Sequence, residues 1–261
     1  MNNSNSQTQI RGLFLDYDGT IAPPGVTRLE SRVAEDTASL LHHISKMIPV
    51  GIITTKDLSF ILPRTLFANA WCTIGGLEMR VGDTVVQPSG LQATLPHITR
   101  ALEHAKHYAG DSLFIEEKRD SKGQTVAFCV DWRNSQKKKS AESISTTVRN
   151  YCQALPLEVV TYGQQPFFDV YPCPIDKGKA LEEMKRLLNV PHGLMYLGDS
   201  KVDNPAFRAA DISIGVLHEE SVMELECDYY IKFVDVEQFF RRFLENDMVF
   251  DGNFAEITAR K

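Results

Sequence analysis

The sequence predicts an α/β fold in which a parallel-sheet core is interrupted by an inserted α+β unit. Three observations carry this reading. Two apolar runs far apart in the chain, Leu13–Leu15 and Leu194–Leu197, lack alternation, as strands buried on both faces do, and each ends in acidic residues. Stretches with apolar residues at helical spacing follow both runs, the pattern of strand–helix–strand crossovers. Between these regions the pattern alternates and is broken by turn residues, which reads as antiparallel hairpins.

The elements follow in order. Ile10 to Leu15 is a strand that stops abruptly at Asp16-Tyr17-Asp18-Gly19-Thr20. Leu29 to Lys46 carries Val33, Ala34, Thr37, Leu40, Leu41 and Ile44 at helical spacing, and Val50 to Ile53 is a second apolar run ending in Thr54-Thr55-Lys56-Asp57. Leu77 to Gln87 alternates around Gly82-Asp83 and predicts a hairpin. Leu91 to Tyr108 and Gln136 to Ala154 predict helices; Ser112 to Lys118, Thr125 to Trp132, Leu157 to Thr161 and Pro166 to Tyr171 predict strands. From Asp176 the first pattern resumes, with a helix over Lys177 to Asn189, a strand over Leu194 to Leu197 ending in Gly198-Asp199-Ser200, and a helix over Val202 to Ala210. Ile212 to Val216 and Tyr229 to Phe233 are short strands, and Val236 to Leu244 is a last helix. Gly75-Gly76 and Pro172 to Pro174 punctuate the pattern, so the expected core is 1–76 with 173–261 and the expected insert is 77–172.

Composition excludes several classes. With 43% hydrophobic and 24% charged residues in 261, the chain is neither collagen-like, coiled-coil nor wholly disordered. The formal net charge of −6 argues against nucleic acid or an anionic membrane surface as partner. No apolar run approaches the roughly 20 residues that span a bilayer. Met1 to Gln9 is polar and reads as an unstructured tail rather than a signal peptide. Five scattered cysteines without a C-x-x-C argue against a disulfide framework or structural zinc and for a reducing cytoplasm.

Four polar clusters fall at strand ends, where open α/β sheets bind ligands: Asp16/Asp18, Thr54, Lys177 and Asp199/Asp203. Several carboxylates brought together are untenable unless a cation neutralises them. An oxygen-only donor set favours Mg²⁺, which keeps coordination sites for phosphate oxygens. A lysine and a threonine facing the same phosphate would complete a site for phosphoryl transfer, in which positioning and charge stabilisation dominate.

At these clusters the chain resembles the haloacid dehalogenase (HAD) superfamily. Asp16-Tyr17-Asp18-Gly19-Thr20 is similar to its D-x-D-G-T motif, Thr54 to the second-motif Ser/Thr, Lys177 to the third-motif Lys, and Gly198-Asp199-Ser200-Lys201-Val202-Asp203 to G-D-x-x-x-D. The resemblance implies a Rossmann-like core with the larger α+β cap of the type IIB sugar-phosphatase branch. Within it, the motifs lean toward members like trehalose-6-phosphate phosphatase and mannosyl-3-phosphoglycerate phosphatase. It implies Asp16 as nucleophile forming an aspartyl-phosphate and Asp18 as general acid and then base. It implies Mg²⁺ held by the Asp16 side chain, the Asp18 main-chain carbonyl and Asp199, with Asp203 supporting the metal or Lys177. Thr54, Lys177 and Gly19 would hold the phosphate. Thr55, Lys56, Gly76 and Arg133 are candidate substrate contacts. Thr55-Lys56 stands where this branch often has Gly-Arg, and Lys201-Val202 also departs from trehalose phosphatases.

The expected partner is a small phosphorylated substrate, with no nucleic acid and no membrane, and the chain a monomer or weak dimer. Rival readings are a phosphomutase, a phospho-acceptor signalling module, and a silent family member acting as a binding protein. Taken singly, Asp-Gly-Thr is a turn, Thr54 a helix N-cap and Lys177 a solvated first-turn lysine. His97, His104 and His107 read as a wet helix face rather than a zinc site, and Lys137-Lys138-Lys139 as a solvated helix start. Trp132 suits sugar stacking or core packing equally.

Overall fold

The computed structural model describes residues 7–163, 165–218, 225–254 and 256–257; the expectation for the tail over 1–6 lies outside them. The chain begins with β1 (Thr8–Gln9), β2 (Gly12–Leu15), α1 (Glu35–Ile44), β3 (Val50–Ile53), α2 (Leu58–Ile61), β4 (Ala70–Thr73), β5 (Glu78–Val81) and β6 (Thr84–Val86). There follow α3 (Leu91–Ala109), β7 (Phe114–Arg119), β8 (Thr125–Asp131), α4 (Lys138–Gln153), β9 (Glu158–Thr161) and β10 (Phe167–Tyr171). The last part holds α5 (Lys177–Leu188), β11 (Leu194–Gly198), α6 (Asn204–Ala209), β12 (Ile212–Leu217), β13 (Tyr229–Lys232), α7 (Val236–Glu245), β14 (Val249–Phe250) and β15 (Glu256–Ile257). Two compact units result, one of Met1–Thr55, Phe60–Val86 and Asp176–Lys261, the other of Lys56–Ser59 and Gln87–Ile175.

The first unit is built on a nine-stranded sheet in the order β15-β13-β12-β11-β2-β3-β4-β5-β6. Strands β13 through β4 in that order are parallel, with antiparallel neighbours at both edges. Every residue of β2, Gly12-Leu13-Phe14-Leu15, is buried. That explains its unbroken apolar run: both faces of the strand are covered. Phe14, Ile53 and Tyr196 share a cluster with Ala180, Leu181 and Met184 of α5 and Phe207 of α6. On α7, Phe239, Phe240 and Phe243 are buried at helical spacing, and α7 packs against α1. Each such side chain contributes about 1.5–3 kcal/mol of transfer free energy.

The hairpin over 77–87, expected to open the inserted unit, extends this large sheet instead. Thr73 pairs with Glu78 and Cys72 with Met79, so β5 folds back antiparallel on β4. Gly75-Gly76 is the turn that permits it, with φ of 67° and 106° that only glycine adopts freely. Alternation identified a hairpin but not the edge it joins. Two further differences are local. The helix expected from Leu29 begins only at Glu35, after Ala34 in extended conformation. Thr8–Gln9, placed in the tail, pairs with Val249 and Phe250 near the opposite end of the chain.

The second unit is a four-stranded antiparallel sheet, β7-β8-β10-β9. Phe128, Val130, Phe168 and Val170 cluster with Ile98, Ala101 and Ala105 of α3 and Val148 of α4. The same sheet also holds a buried ion pair. Lys118 Nζ lies 2.7 Å from Asp169 Oδ1, and the Tyr162 and Tyr171 hydroxyls donate to Asp169 Oδ2 at 2.6 and 3.1 Å. Burial pushes the Asp169 carboxyl up, but Lys118 and the donated hydrogen bonds outweigh it and hold it below the ordinary carboxylate value. A carboxyl depressed by folding contributes stability above its unfolded value and loses it as pH falls through the lower folded value. Lys118→Met removes about 3–5 kcal/mol at pH 7, an effect that shrinks in acid because burial without the lysine lets Asp169 protonate in the variant. Denaturant midpoints at pH 7 and pH 4 measure this; a midpoint unmoved at pH 7 would contradict it. Among the described residues no helix is long and apolar enough to cross a membrane, and the five cysteines are free thiols.

Candidate active site

The parallel register explains why distant motifs meet. Leu15 at the end of β2 lies opposite Ile52 of β3 and Leu197 of β11, so these strands finish together. The chain moves from β2 through β3 to β4 on one side and returns through β11, β12 and β13 on the other. That reversal beside β2 opens the crevice in which α/β sheets bind ligands. Asp16, Thr54 and Asp199 are the residues that follow these strand ends, and the Asp16 N–H still donates to the Leu197 carbonyl at 2.9 Å.

Lys177 is delivered by the start of α5. The Asp176 side chain caps that helix, accepting from the Gly178 and Lys179 N–H groups at 2.9 and 3.1 Å. Lys177 is consequently 3% exposed, with Nζ 2.9 Å from Asp16 Oδ1 and 2.6 Å from Asp203 Oδ1. Burial pulls its ammonium toward neutrality, but the Asp16 and Asp203 carboxylates prevail and raise its pKa above the usual lysine value. A lysine in a first helical turn, opposing the helix dipole, is kept there by two buried carboxylates.

Asp203 is fully enclosed and held by five donors. Lys177 and the Tyr196 hydroxyl meet Oδ1, each at 2.6 Å. The Asp199 N–H, the Ser200 N–H and the Ser200 hydroxyl meet Oδ2 at 3.2, 3.0 and 3.0 Å. Burial alone would raise its pKa; Lys177 and the other donors lower it instead. Asp203 thus stands behind Lys177 and the Asp199 loop with its acceptor capacity occupied. The sequence pattern missed Tyr196 and Ser200, and nothing in an apolar strand distinguishes one tyrosine as a carboxylate's partner.

Asp16, Asp199 and Asp203 each place a carboxylate oxygen within 4.8 Å of the others. Burial, only partly offset by Lys177 and reinforced by Asp203, pushes Asp16 up to about 7. Burial followed by repulsion from Asp16 and Asp203 pushes Asp199 up to about 9. The single ammonium of Lys177 does not neutralise three carboxylates, so the donor set fits a hard divalent cation such as Mg²⁺ between Asp16 and Asp199. The Asp18 carboxylate lies outside this trio and instead accepts from the Ser31 hydroxyl at 2.9 Å.

The remaining expectations have definite places. The Gly19 N–H donates to the Ala22 carbonyl at 2.8 Å. A side chain has no room there: with φ +79°, an added Cβ would lie 2.1 Å from Asp199 Oδ2. Thr54 is buried, its N–H bonded to the Cys72 carbonyl and its carbonyl to the Gly75 N–H, each at 2.9 Å. Thr55 and Lys56 are half-buried beyond it, and Gly76 lies in the β4–β5 turn. Arg133, in the second unit, forks onto Asp131 Oδ2 at 2.9 and 2.6 Å and lies over Phe167, so its own unit already engages it. Trp132 packs edge-on to Phe168, in line with core packing. His104 stacks flat on Tyr151 at 3.7 Å, as a helix-packing ring does. Lys138 and Lys139 are exposed at the start of α4. His218 was not anticipated: its Nε2 donates to the Gly19 carbonyl at 2.7 Å and lies 3.8 Å from Asp199 Oδ2.

The model of the haloacid dehalogenase-like hydrolase family matches residues 83–236, more than half of the chain. The chain belongs to this family. The matched span carries Lys177, Asp199 and Asp203, while Asp16 and Thr54 precede it and join them through the sheet register. An uncharacterized glycosyl hydrolase of Mycobacterium tuberculosis is 25% identical over 244 residues, covering 84% of this chain. The chain spans only 17% of that relative's length. Trehalose 6-phosphate phosphatase RA3 of Zea mays is 24% identical over 258 residues, covering 88% of this chain and 68% of the maize protein. The C-terminal domain of the C. albicans trehalose-6-phosphate phosphatase superposes with a TM-score of 0.70 at 17% identity, covering 92% of this chain and 94% of that one. At that identity the likeness is one of fold.

Proposed function

We propose that this family member is a Mg²⁺-dependent phosphomonoester hydrolase acting on a sugar phosphate or a similarly small metabolite. The reading is supported most by one arrangement: Asp16 at the end of β2, held by Lys177 and crowded by Asp199. Asp16 and Asp199 would hold the cation, with the Asp18 main-chain carbonyl as the family resemblance implies. When bound, Mg²⁺ would offset the carboxylate and phosphate charge. The rest is the work of this chain's residues. The Asp16 carboxylate attacks phosphorus in line while the ester P–O bond breaks, and the leaving alkoxide takes a proton from Asp18. Asp18 then removes a proton from water, whose oxygen attacks the phosphoryl group on Asp16 and releases inorganic phosphate. Lys177 fixes the nucleophile's orientation through Asp16 Oδ1, and Asp203 fixes Lys177.

The unit over 87–175 would serve as the cap that selects substrate, and the free thiols suit a reducing, cytoplasmic setting. A phosphatase screen over sugar phosphates and phosphoglycerate derivatives, with and without Mg²⁺, tests the reading. Trehalose 6-phosphate comes first because the maize and C. albicans relatives bear its name. A wild type inert across the panel would refute it.

The crowded carboxylates also give a prediction that needs no substrate. With the cation chelated, folding raises Asp16 to about 7 and Asp199 to about 9 from an ordinary 3.8. The folded state then binds more protons than the unfolded one over this window, so stability falls as pH rises from about 4 to about 9. Saturating Mg²⁺ flattens this slope and raises the melting temperature by linkage. Asp199→Asn is expected to melt higher than wild type in EDTA and to lose the Mg²⁺-dependent increment. Scanning calorimetry in EDTA and in Mg²⁺ measures both; an equal increment in the variant would exclude Asp199 as a ligand.

A further inference from the structure

Residues 24–30 form an exposed loop, and Arg32 beyond them is exposed as well. Between them Ser31 is only 3% exposed. A turn delivers it inward, with its N–H bonded to the Thr27 carbonyl at 3.0 Å and the Glu30 carboxylate accepting from the Thr27 hydroxyl at 2.7 Å. Two side chains then seize its carbonyl: the Tyr17 hydroxyl at 2.9 Å and Arg64 Nε at 3.1 Å. Arg64 is itself fixed by the Phe60 carbonyl at 2.9 Å and by the Phe60 ring, 4.0 Å from its guanidinium carbon. Arg28 approaches the same ring at 4.5 Å, and Tyr17 meets it edge-on. This framework presents the Ser31 hydroxyl to Asp18: Ser31 Oγ donates to Asp18 Oδ1 at 2.9 Å.

We propose that Ser31 is a positioning residue that aims the Asp18 carboxyl at the leaving-group oxygen. The inference rests on the reading of Asp18 as the proton donor given above. A hydroxyl held on one carboxylate oxygen restricts rotation about Cβ–Cγ and so fixes the direction of the other oxygen. The Ser31 side chain could not do this if its backbone wandered with the exposed loop, and the Tyr17 and Arg64 bonds to its carbonyl prevent that. Proton transfer is sensitive to such geometry, since a positioned acid contributes about 10²–10⁴-fold to rate.

The test uses the full-length protein and a series of aryl phosphates. p-Nitrophenyl phosphate expels a stable phenolate that needs little protonation, whereas phenyl phosphate depends on the acid. Ser31→Ala is expected to lower kcat/KM about tenfold for phenyl phosphate and less than about threefold for p-nitrophenyl phosphate, with KM unchanged. Ser31→Thr, which keeps the hydroxyl, restores the phenyl phosphate rate. Tyr17→Phe, a milder change that releases one hold on the Ser31 carbonyl, shifts the ratio in the same direction by less. Asp18→Asn steepens the leaving-group dependence most. If Asp18→Asn does so and Ser31→Ala lowers all rates equally or none, Ser31 is not a positioning residue and the general-acid reading stands. If Asp18→Asn leaves the dependence flat, the acid assignment itself fails and the role of Ser31 falls with it.

Discussion

Asp16→Asn loses about 10³-fold or more in kcat on any phosphomonoester that the wild type turns over. An amide cannot attack phosphorus, so the loss falls on the chemical step and not on KM. The fold survives because Lys177 keeps its 2.6 Å contact with Asp203 and the neutral amide relieves the crowding at Asp199. Steady-state kinetics with p-nitrophenyl phosphate, together with circular dichroism, checks both halves. A folded variant with a rate within tenfold of wild type would remove Asp16 from the chemistry and leave the cluster as a cation site alone.

Asp203→Ala has the largest expected effect on stability. It removes the acceptor of five donors at once, leaving the buried Lys177 ammonium with Asp16 alone and the buried Tyr196 hydroxyl without its acceptor. Removing one partner of a buried ion pair costs about 3–5 kcal/mol, and each orphaned polar group adds to it. Activity falls as well, because Lys177 and the Asp199 loop both take their positions from this carboxylate. Asp203→Asn retains the volume and some acceptor capacity and is expected to lie between the alanine variant and wild type. Chemical denaturation followed by fluorescence orders the three; an alanine variant as stable as wild type would contradict the burial argument.

The parallel strands were legible because a strand covered on both faces leaves an unbroken apolar run, as Leu13–Leu15 and Leu194–Leu197 do. The site was legible as an ordered set of motifs, each weak alone. Lys177 looked like a solvated lysine until a carboxylate from either end of the chain was placed beside it. What stayed hidden was pairing at long range. Lys118 and Asp169 are 51 residues apart, and only the β7-β8-β10 order brings them together. Ser31 is one serine in a polar loop, and its burial comes from Tyr17 and Arg64, neither of which any periodicity marks. The hairpin over 77–87 was recognised by alternation, but alternation carries no information about which free edge will accept it.

The position of the insertion has a consequence for how the protein is made. β2 is synthesised well before its partner β11, which lies some 180 residues later, and Lys177, Asp199 and Asp203 arrive with that later segment. Until then one edge of an entirely apolar strand has no neighbour, a condition that invites association between nascent chains. The second unit pairs its strands only among themselves, so it can close while the large sheet still waits. Enzymatic competence therefore waits for the segment from Asp176 onward, and a chain interrupted before Asp176 lacks Lys177, Asp199 and Asp203 and leaves an edge of β2 open to association.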